Sequence, residues 1–376
     1  MNSERRSFLR DLSLGASAVC AAPFAAAAFR LKQTFSWPSA EKQIIEMRPL
    51  GFQWDCFDPF LFCAHHEDEY PKGNGNYGPV GSLQGRDLGD DFIIKDGYRM
   101  YHGKSVPGFP GHPHRGFETV TIVRKGMVDH ADSLGAAGRY GDGDTQWMTA
   151  GGGVQHSEMF PLIKESSDNP LELFQVWLNL PKKNKMVDPY FKMLWAEDTP
   201  KYRETDKEGD DSNIEVIAGE LGGNKAPAPP PDSWAADPAN EVAIWNINLD
   251  PDASLTLPPA SAGVNRTLYY YEGSNLKIAG EEIPSYHLVR VLANQAVKLE
   301  NGASSAKVLV LQGKPIAEPV MQYGPFVMNT KEEIKQAFED FHRTKFGGWP
   351  WPSRDMVHGS NGRFARHADG RMEKRA

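Results

Sequence analysis

Short runs of alternating apolar and polar residues cover most of the chain, separated by clusters of glycine, aspartate and proline. In "ETVTIVRKG", Val120 and Ile122 form one set of side chains and Thr119, Thr121 and Val123 form the opposite set. This is the pattern of an extended strand ending in a Lys-Gly turn. "LELFQVWLNLP" predicts a second strong strand, stopped at Pro181. Such runs extend from Gln43 to about Pro181 and return from Ile214 to about Val320, with the proline-rich loop "KAPAPPPDSW" inside the second set. The chain is therefore expected to be all-β, with two β-rich halves. Between them, "AEDTPKYRETDKEGDDSN" is acidic and polar and predicts a solvated linker.

"TLYYYEGSNLKIAG" repeats the shape of "TVTIVRKGMVDHAD": apolar strand, charged residue, glycine turn, second strand. This points to a faint internal duplication. The second half contains a single histidine, His287, which is read as structural. One helix interrupts the β pattern. "NTKEEIKQAFEDFHRTKFGG" offers Asn329 or Thr330 as a cap, acids in the first turn, apolar Ile334, Phe338 and Phe341, and terminal glycines. The tail after it is aperiodic and should run extended over the surface.

The first residues belong to a different grammar. Arg5 and Arg6 precede Phe8, Leu9 and Arg10, then a mildly apolar stretch rich in alanine. A charged start, a short apolar middle and a small-residue end describe a secretory signal. The consecutive arginines resemble a twin-arginine signal, a route known for exporting already folded, often cofactor-loaded proteins. Cleavage near Ala27 or Ala28 would start the mature chain close to Phe29 and deliver it to the periplasm. No stable membrane association is expected after cleavage. Cys56 and Cys63 are seven residues apart, an odd offset that places them on opposite faces of a strand, so they are read as buried free thiols rather than a disulfide.

A length of 376 residues leaves room for two cores, and the formal net charge of -8 without a basic, aromatic-interleaved stripe excludes nucleic acid as a direct partner. The chemistry concentrates in two stretches. In "GHPHRGFETV", His112 and His114 flank one proline and share a face of an extended chain. In "GDGDTQWMTAGGGVQHSEMF", His156 and Glu158 repeat the same spacing after three glycines. Glycine there permits close backbone approach and positive φ. Three neutral imidazoles and one carboxylate suit a divalent first-row metal with open positions left in its shell. Gln146 and Met148 are expected around the pocket, while Trp147 is expected to pack inside the barrel. His130 is read as a hydrogen-bonded strand residue, and His65, His66, His102, His342, His358 and His367 as solvent-facing.

Together with "QVWLNLP" and "QYGPFVMNTKEEIKQAFEDF", these motifs resemble the pirin family of the cupin superfamily over nearly the whole mature chain. The resemblance implies a bicupin, two jelly-roll β-barrels packed together. The divisions would be a signal over 1–28, a metal-binding cupin over 43–190, a linker over 191–213, a degenerate cupin over 214–328, and a helix and tail over 329–376. Carried over by position, the family's metal ligands fall on His112, His114, His156 and Glu158. The implied metal is Fe(II), with Mn, Ni, Cu or Co as alternatives. The implied activity is quercetin 2,3-dioxygenase, using O2 and a small phenolic substrate, in a monomer. Glu158 or Glu118 would accept the substrate proton, although Glu118 is read chiefly as a supporting residue, and Arg115 would tune the charge around the metal. The alternative from another class is a non-catalytic, redox-responsive metal-binding interaction protein of the periplasm.

Overall fold

The computed structural model describes residues 42–375, so the paired arginines, Arg5 and Arg6, and the expected cleavage site lie outside the described residues. Two β-barrels are built, each from a pair of sheets. In the first barrel, one six-stranded antiparallel sheet runs in the order Tyr190–Leu194, Thr145–Thr149, Phe117–Lys125, Asn169–Asn179, Phe60–Tyr70, Gln53–Trp54. The second sheet of this barrel runs Met372–Lys374, Phe364–Arg366, Ala137–Gly141, Met127–Asp132, Val154–Met159, Gly108–His114.

The second barrel has a seven-stranded sheet ordered Ile44–Pro49, His287–Leu292, Asn265–Glu272, Ala306–Gly313, Ala243–Leu249, Asp211–Ala218, Lys201–Thr205. A four-stranded sheet, from Ser254–Leu257 through Val297–Glu300 and Leu276–Ile278 to Glu281–Ile283, closes it. The expected bicupin is the architecture found.

Alternation decides which core each strand serves. On Phe117–Lys125, Val120 and Ile122 leave the barrel and join Trp54, Trp147, Phe174 and Val176 against Ile244, Tyr269, Leu309 and Leu311 of the second barrel. The two large sheets thus pack through their outer faces, and both faces of their central strands are buried. At up to about 1.5–3 kcal/mol per large buried side chain, this face is a main source of stability. Trp147 lies in this inter-barrel core, not inside the barrel as expected.

Three boundaries differ from expectation. The segment 191–213 is not a free linker: Tyr190–Leu194 pairs with Thr145–Thr149, and Lys201–Thr205 pairs with Asp211–Ala218 at the edge of the large second sheet. Its charge is that of an edge strand, where charged side chains discourage further pairing, and the Asp206 carboxylate caps the hairpin tip by accepting from the Glu208, Gly209 and Asp210 amides. The first strand, Ile44–Pro49, crosses over and pairs with His287–Leu292 of the second barrel. After Gly313 the chain returns to the first barrel, where the Val327 amide bonds the Arg115 carbonyl at 3.0 Å.

The helix Lys331–Thr344 forms as predicted, with Thr330 as its cap and a reciprocal bond from Glu333. Lys345 in the left-handed region ends it, ahead of the glycines. The tail does run over the surface, but in defined structure: Phe364–Arg366 pairs with Ala137–Gly141. Cys56 and Cys63 are free, Cys63 fully buried and Cys56 partly so. Among the described residues no helix is long and apolar enough to cross a membrane.

Candidate metal centre

The strands Gly108–His114 and Val154–Met159 are antiparallel neighbours whose register sets His112 opposite His156. An irregularity between Phe109 and His112 re-aims the first strand. Gly108 begins that strand at φ 127°, where an added Cβ would lie 2.4 Å from the Glu158 carbonyl oxygen, so only glycine allows this approach. Gly153, at φ 131°, makes room for the Phe346 ring in the same way.

The result is a histidine triad. The ligating nitrogens of His112, His114 and His156 lie within 4.8 Å of one another. His112 Nδ1 faces the Pro110 carbonyl at 3.1 Å and His114 Nδ1 faces the Pro325 carbonyl at 3.4 Å. Each carbonyl accepts from Nδ1–H, so Nε2 is left as the lone-pair nitrogen. His156 is fully buried and neither of its ring nitrogens has a hydrogen-bond partner. A buried imidazole without partners is costly, and metal ligation relieves that cost. Burial pushes the pKa of His112 down to about 4, and those of His114 and His156 well below the usual range, with neighbouring histidines adding to the effect. The triad is therefore neutral at pH 7, the state a metal requires.

Glu158 stands beside the triad. Its Oε2 is 3.9 Å from His156 Nε2, and its oxygens accept from Thr121 Oγ1 at 2.7 Å and Gln175 Nε2 at 2.8 Å. Burial raises its pKa, and the bonds from Thr121 and Gln175 offset part of that rise. The residues present fit a divalent cation: three neutral imidazoles offering one nitrogen each, the His156 ring without any hydrogen-bond partner, and a buried carboxylate alongside.

Other expected residues are elsewhere. Glu118 is on the strand face opposite Thr119 and Thr121, pointing away from the triad. It accepts from Thr149 Oγ1 and Ser233 Oγ, both at 2.6 Å. It anchors the proline-rich loop and cannot reach a substrate in the cavity. Arg115 bonds the Gly152 carbonyl at 2.8 Å, pairs with Asp340 at 2.9 Å and covers the Phe346 ring, so it docks the C-terminal helix instead of tuning the metal. Gln146 donates to His130 Nδ1 at 2.9 Å, and Met148 packs with Ala150 and Val154; both point inward but neither lines the cavity. His130 is the hydrogen-bonded strand residue expected. His102 and His342 are exposed, but His65, His66, His358 and His367 are buried, because the surrounding polar sequence folds back as strands and tail.

A cavity of about 570 Å³ opens onto His112, His114 and Glu158. Phe52, Phe62, Phe92, Phe109, Phe160 and Trp177 form its apolar walls. Sequence reasoning missed these walls and also Thr121, Gln175 and His66. Gln175 carried a legible signal: it is an amide set between Leu173 and Trp177 on one face of the strand, in the middle of its apolar stretch.

Two family models match the chain, the pirin model over residues 45–178 and the pirin C-terminal cupin domain over residues 244–347. A protein of Pseudomonas aeruginosa named "putative quercetin 2,3-dioxygenase" is 38% identical over 256 residues, covering 67% of this chain and 85% of its own length. This chain belongs to the pirin family. Human pirin is 35% identical over 263 residues, or 69% of this chain and 83% of the human protein. A crystal structure described as a quercetin 2,3-dioxygenase from Acinetobacter baumannii matches with a TM-score of 0.62 and 29% identity, covering 81% of this chain and 96% of that one. The pirin model covers the first barrel, where the triad lies, and the C-terminal cupin model covers most of the second, whose interior is apolar.

Proposed function

We propose that this pirin is a metal-dependent dioxygenase that opens flavonols or related phenolics by quercetin 2,3-dioxygenase chemistry. The observation that carries the reading is the aromatic-walled cavity of about 570 Å³ that opens onto His112, His114 and Glu158, with His156, whose ring nitrogens have no partner, buried directly behind them within 4.8 Å. His112, His114 and His156 would hold the ion, with Glu158 as the adjoining carboxylate. Fe(II) is the metal proposed, with Mn, Ni, Cu or Co as competitors for the same donors. Bound there, it would supply Lewis acidity and free positions for a phenolate oxygen and for O2.

The protein's own share is recognition and proton handling. Phe109, Phe160 and Trp177 offer flat apolar surface to an aromatic ring and exclude water. Glu158 takes the hydroxyl proton of the substrate at a carboxylate oxygen. Thr121 donates to its Oε1 and Gln175 to its Oε2, which fixes the carboxylate, and burial has already raised its proton affinity. The names of the Pseudomonas and Acinetobacter relatives support the same chemistry. Export by the twin-arginine route to the periplasm, and action there as a monomer, complete the proposal.

The test is to load purified protein with Fe(II), add quercetin, and follow flavonol absorbance and gas release with and without O2. Oxygen-dependent bleaching with release of carbon monoxide is the expected result. Flavonol binding without consumption would overturn the enzyme reading in favour of the non-catalytic metal-binding protein.

A further inference from the structure

One buried polar chain around the cavity has no part in holding the metal. His66 lies on the strand Phe60–Tyr70, in the sheet facing the one that carries the three histidines, and its ring lines the cavity between Phe52 and Phe109. Its Nδ1 is 2.8 Å from the Tyr101 hydroxyl. That hydroxyl donates to Asp68 Oδ2 at 2.6 Å. Asp68 is in turn held by Arg99, which donates through Nε at 2.9 Å, Nη2 at 3.0 Å and its own amide at 2.8 Å.

The direction of this chain is forced. A carboxylate doubly bonded by a guanidinium carries no proton, so the single tyrosine proton goes to Asp68. The tyrosine oxygen must then accept from His66, which fixes the Nδ1–H tautomer. The lone pair is left on Nε2, across the ring from Tyr101. Burial, with the Arg99 charge and the adjacent His65, lowers the His66 pKa to about 3, in keeping with a neutral ring. Tyr101 holds its place at φ 55°, a left-handed conformation unusual for a bulky residue and found where a structure fixes one side chain against strain. Gln53, His102 and Lys104 also border the cavity, but they are exposed at its rim.

We infer that His66 Nε2 is a hydrogen-bond acceptor for an aromatic hydroxyl, making a second recognition point on the wall facing the histidine triad. The inference deepens the reading of the previous section and rests on it for the flavonol. One hydroxyl of the guest meets the triad, and a second, on a remote ring, meets His66. The favoured substrates are polyhydroxylated aromatics with a donor far from the reacting oxygen; methyl ethers at that position are rejected because they leave Nε2 unpaired.

The test compares binding, not turnover. Quenching of tryptophan fluorescence gives the Kd of quercetin against galangin, which lacks hydroxyls on the pendant ring. A second pair, 4-methylphenol against 4-methylanisole, does not depend on flavonol chemistry. The wild type should prefer the hydroxylated member of each pair about tenfold, the worth of one good buried hydrogen bond. His66→Phe should erase that preference without weakening galangin. Tyr101→Phe should reduce it by freeing the tautomer, and His66→Gln, which keeps an acceptor, should restore part of it. Should His66→Phe discriminate as the wild type does, or the wild type discriminate in neither pair, the subsite is overturned. Should flavonols fail to bind while the simple phenol shows the His66-dependent preference, the subsite stands and the flavonol reading falls.

Discussion

The two barrels present the same ladder with opposite interiors. In the first, the strand Phe117–Lys125 lies between Thr145–Thr149 and Asn169–Asn179; in the second, Asn265–Glu272 lies between His287–Leu292 and Ala306–Gly313. The inward residues of the first include Thr121, Gln146 and Gln175, each bonded to another polar group of the interior. The matching strands of the second turn Leu268, Tyr270, Val289, Val291, Val308 and Val310 into a closed apolar core. Backbone pairing is indifferent to this choice, since strand ladders use only main-chain groups. What differs is the use of the interior: one barrel is filled to gain stability, the other keeps polar groups and a cavity for a guest. The filled barrel supports the open one through the shared outer faces of the large sheets.

The sharpest way to break the comparison is to remove a triad nitrogen. His156→Ala should lower metal affinity by more than about a hundredfold, beyond the cost of losing a mere supporting residue, as read by metal analysis after dialysis. Leu268→Ala in the second barrel should do the reverse. It should cost about 3 kcal/mol of stability by opening a cavity, seen as a lower urea midpoint, with metal content unchanged. If Leu268→Ala also emptied the metal site, the two interiors would not be separable.

Glu118 tests the seam between the barrels. Burial raises its pKa from 4.5 to about 7, with bonds from Ser233 and Thr149 pulling the other way. For an acid with a raised folded pKa, the native state binds more protons than the unfolded chain between those two values. Stability is thus full below about pH 4.5 and declines as pH rises through about 7. At about 1.4 kcal/mol per pH unit, Glu118 accounts for a decline of up to about 3 kcal/mol. Glu118→Gln should flatten that part of the pH–stability curve; an unaltered slope would show that the carboxyl titrates normally.

Smaller effects follow outside the barrels. Asp340→Asn, which removes the partner of Arg115, should cost about 1 kcal/mol and speed amide exchange in the helix Lys331–Thr344 while leaving metal affinity within twofold. Last, His287→Ala should leave metal content as it was and shift stability by no more than about 0.5 kcal/mol. Its ring is only partly buried and its Nδ1 meets the Ser285 carbonyl at 3.0 Å.

While the two barrels were implied by the chain's resemblance to the pirin family, the sequence by itself determined the two β-rich halves, the helix with its cap, and the pairing of His112 with His114 and of His156 with Glu158 on common faces. These are local facts: alternation in a strand and capping in a helix follow from covalent geometry. It did not determine which face points inward, because both faces of the central strands are buried and composition cannot tell a barrel interior from an inter-barrel core. Glu118 and Trp147 were misplaced for that reason, and Thr121 was passed over. Nor did it show that His66 is buried against Tyr101 and Asp68, or that the charged stretch around Lys201 is an edge strand. Those depend on strand register and on distant segments folding back, so only the tertiary structure decided them.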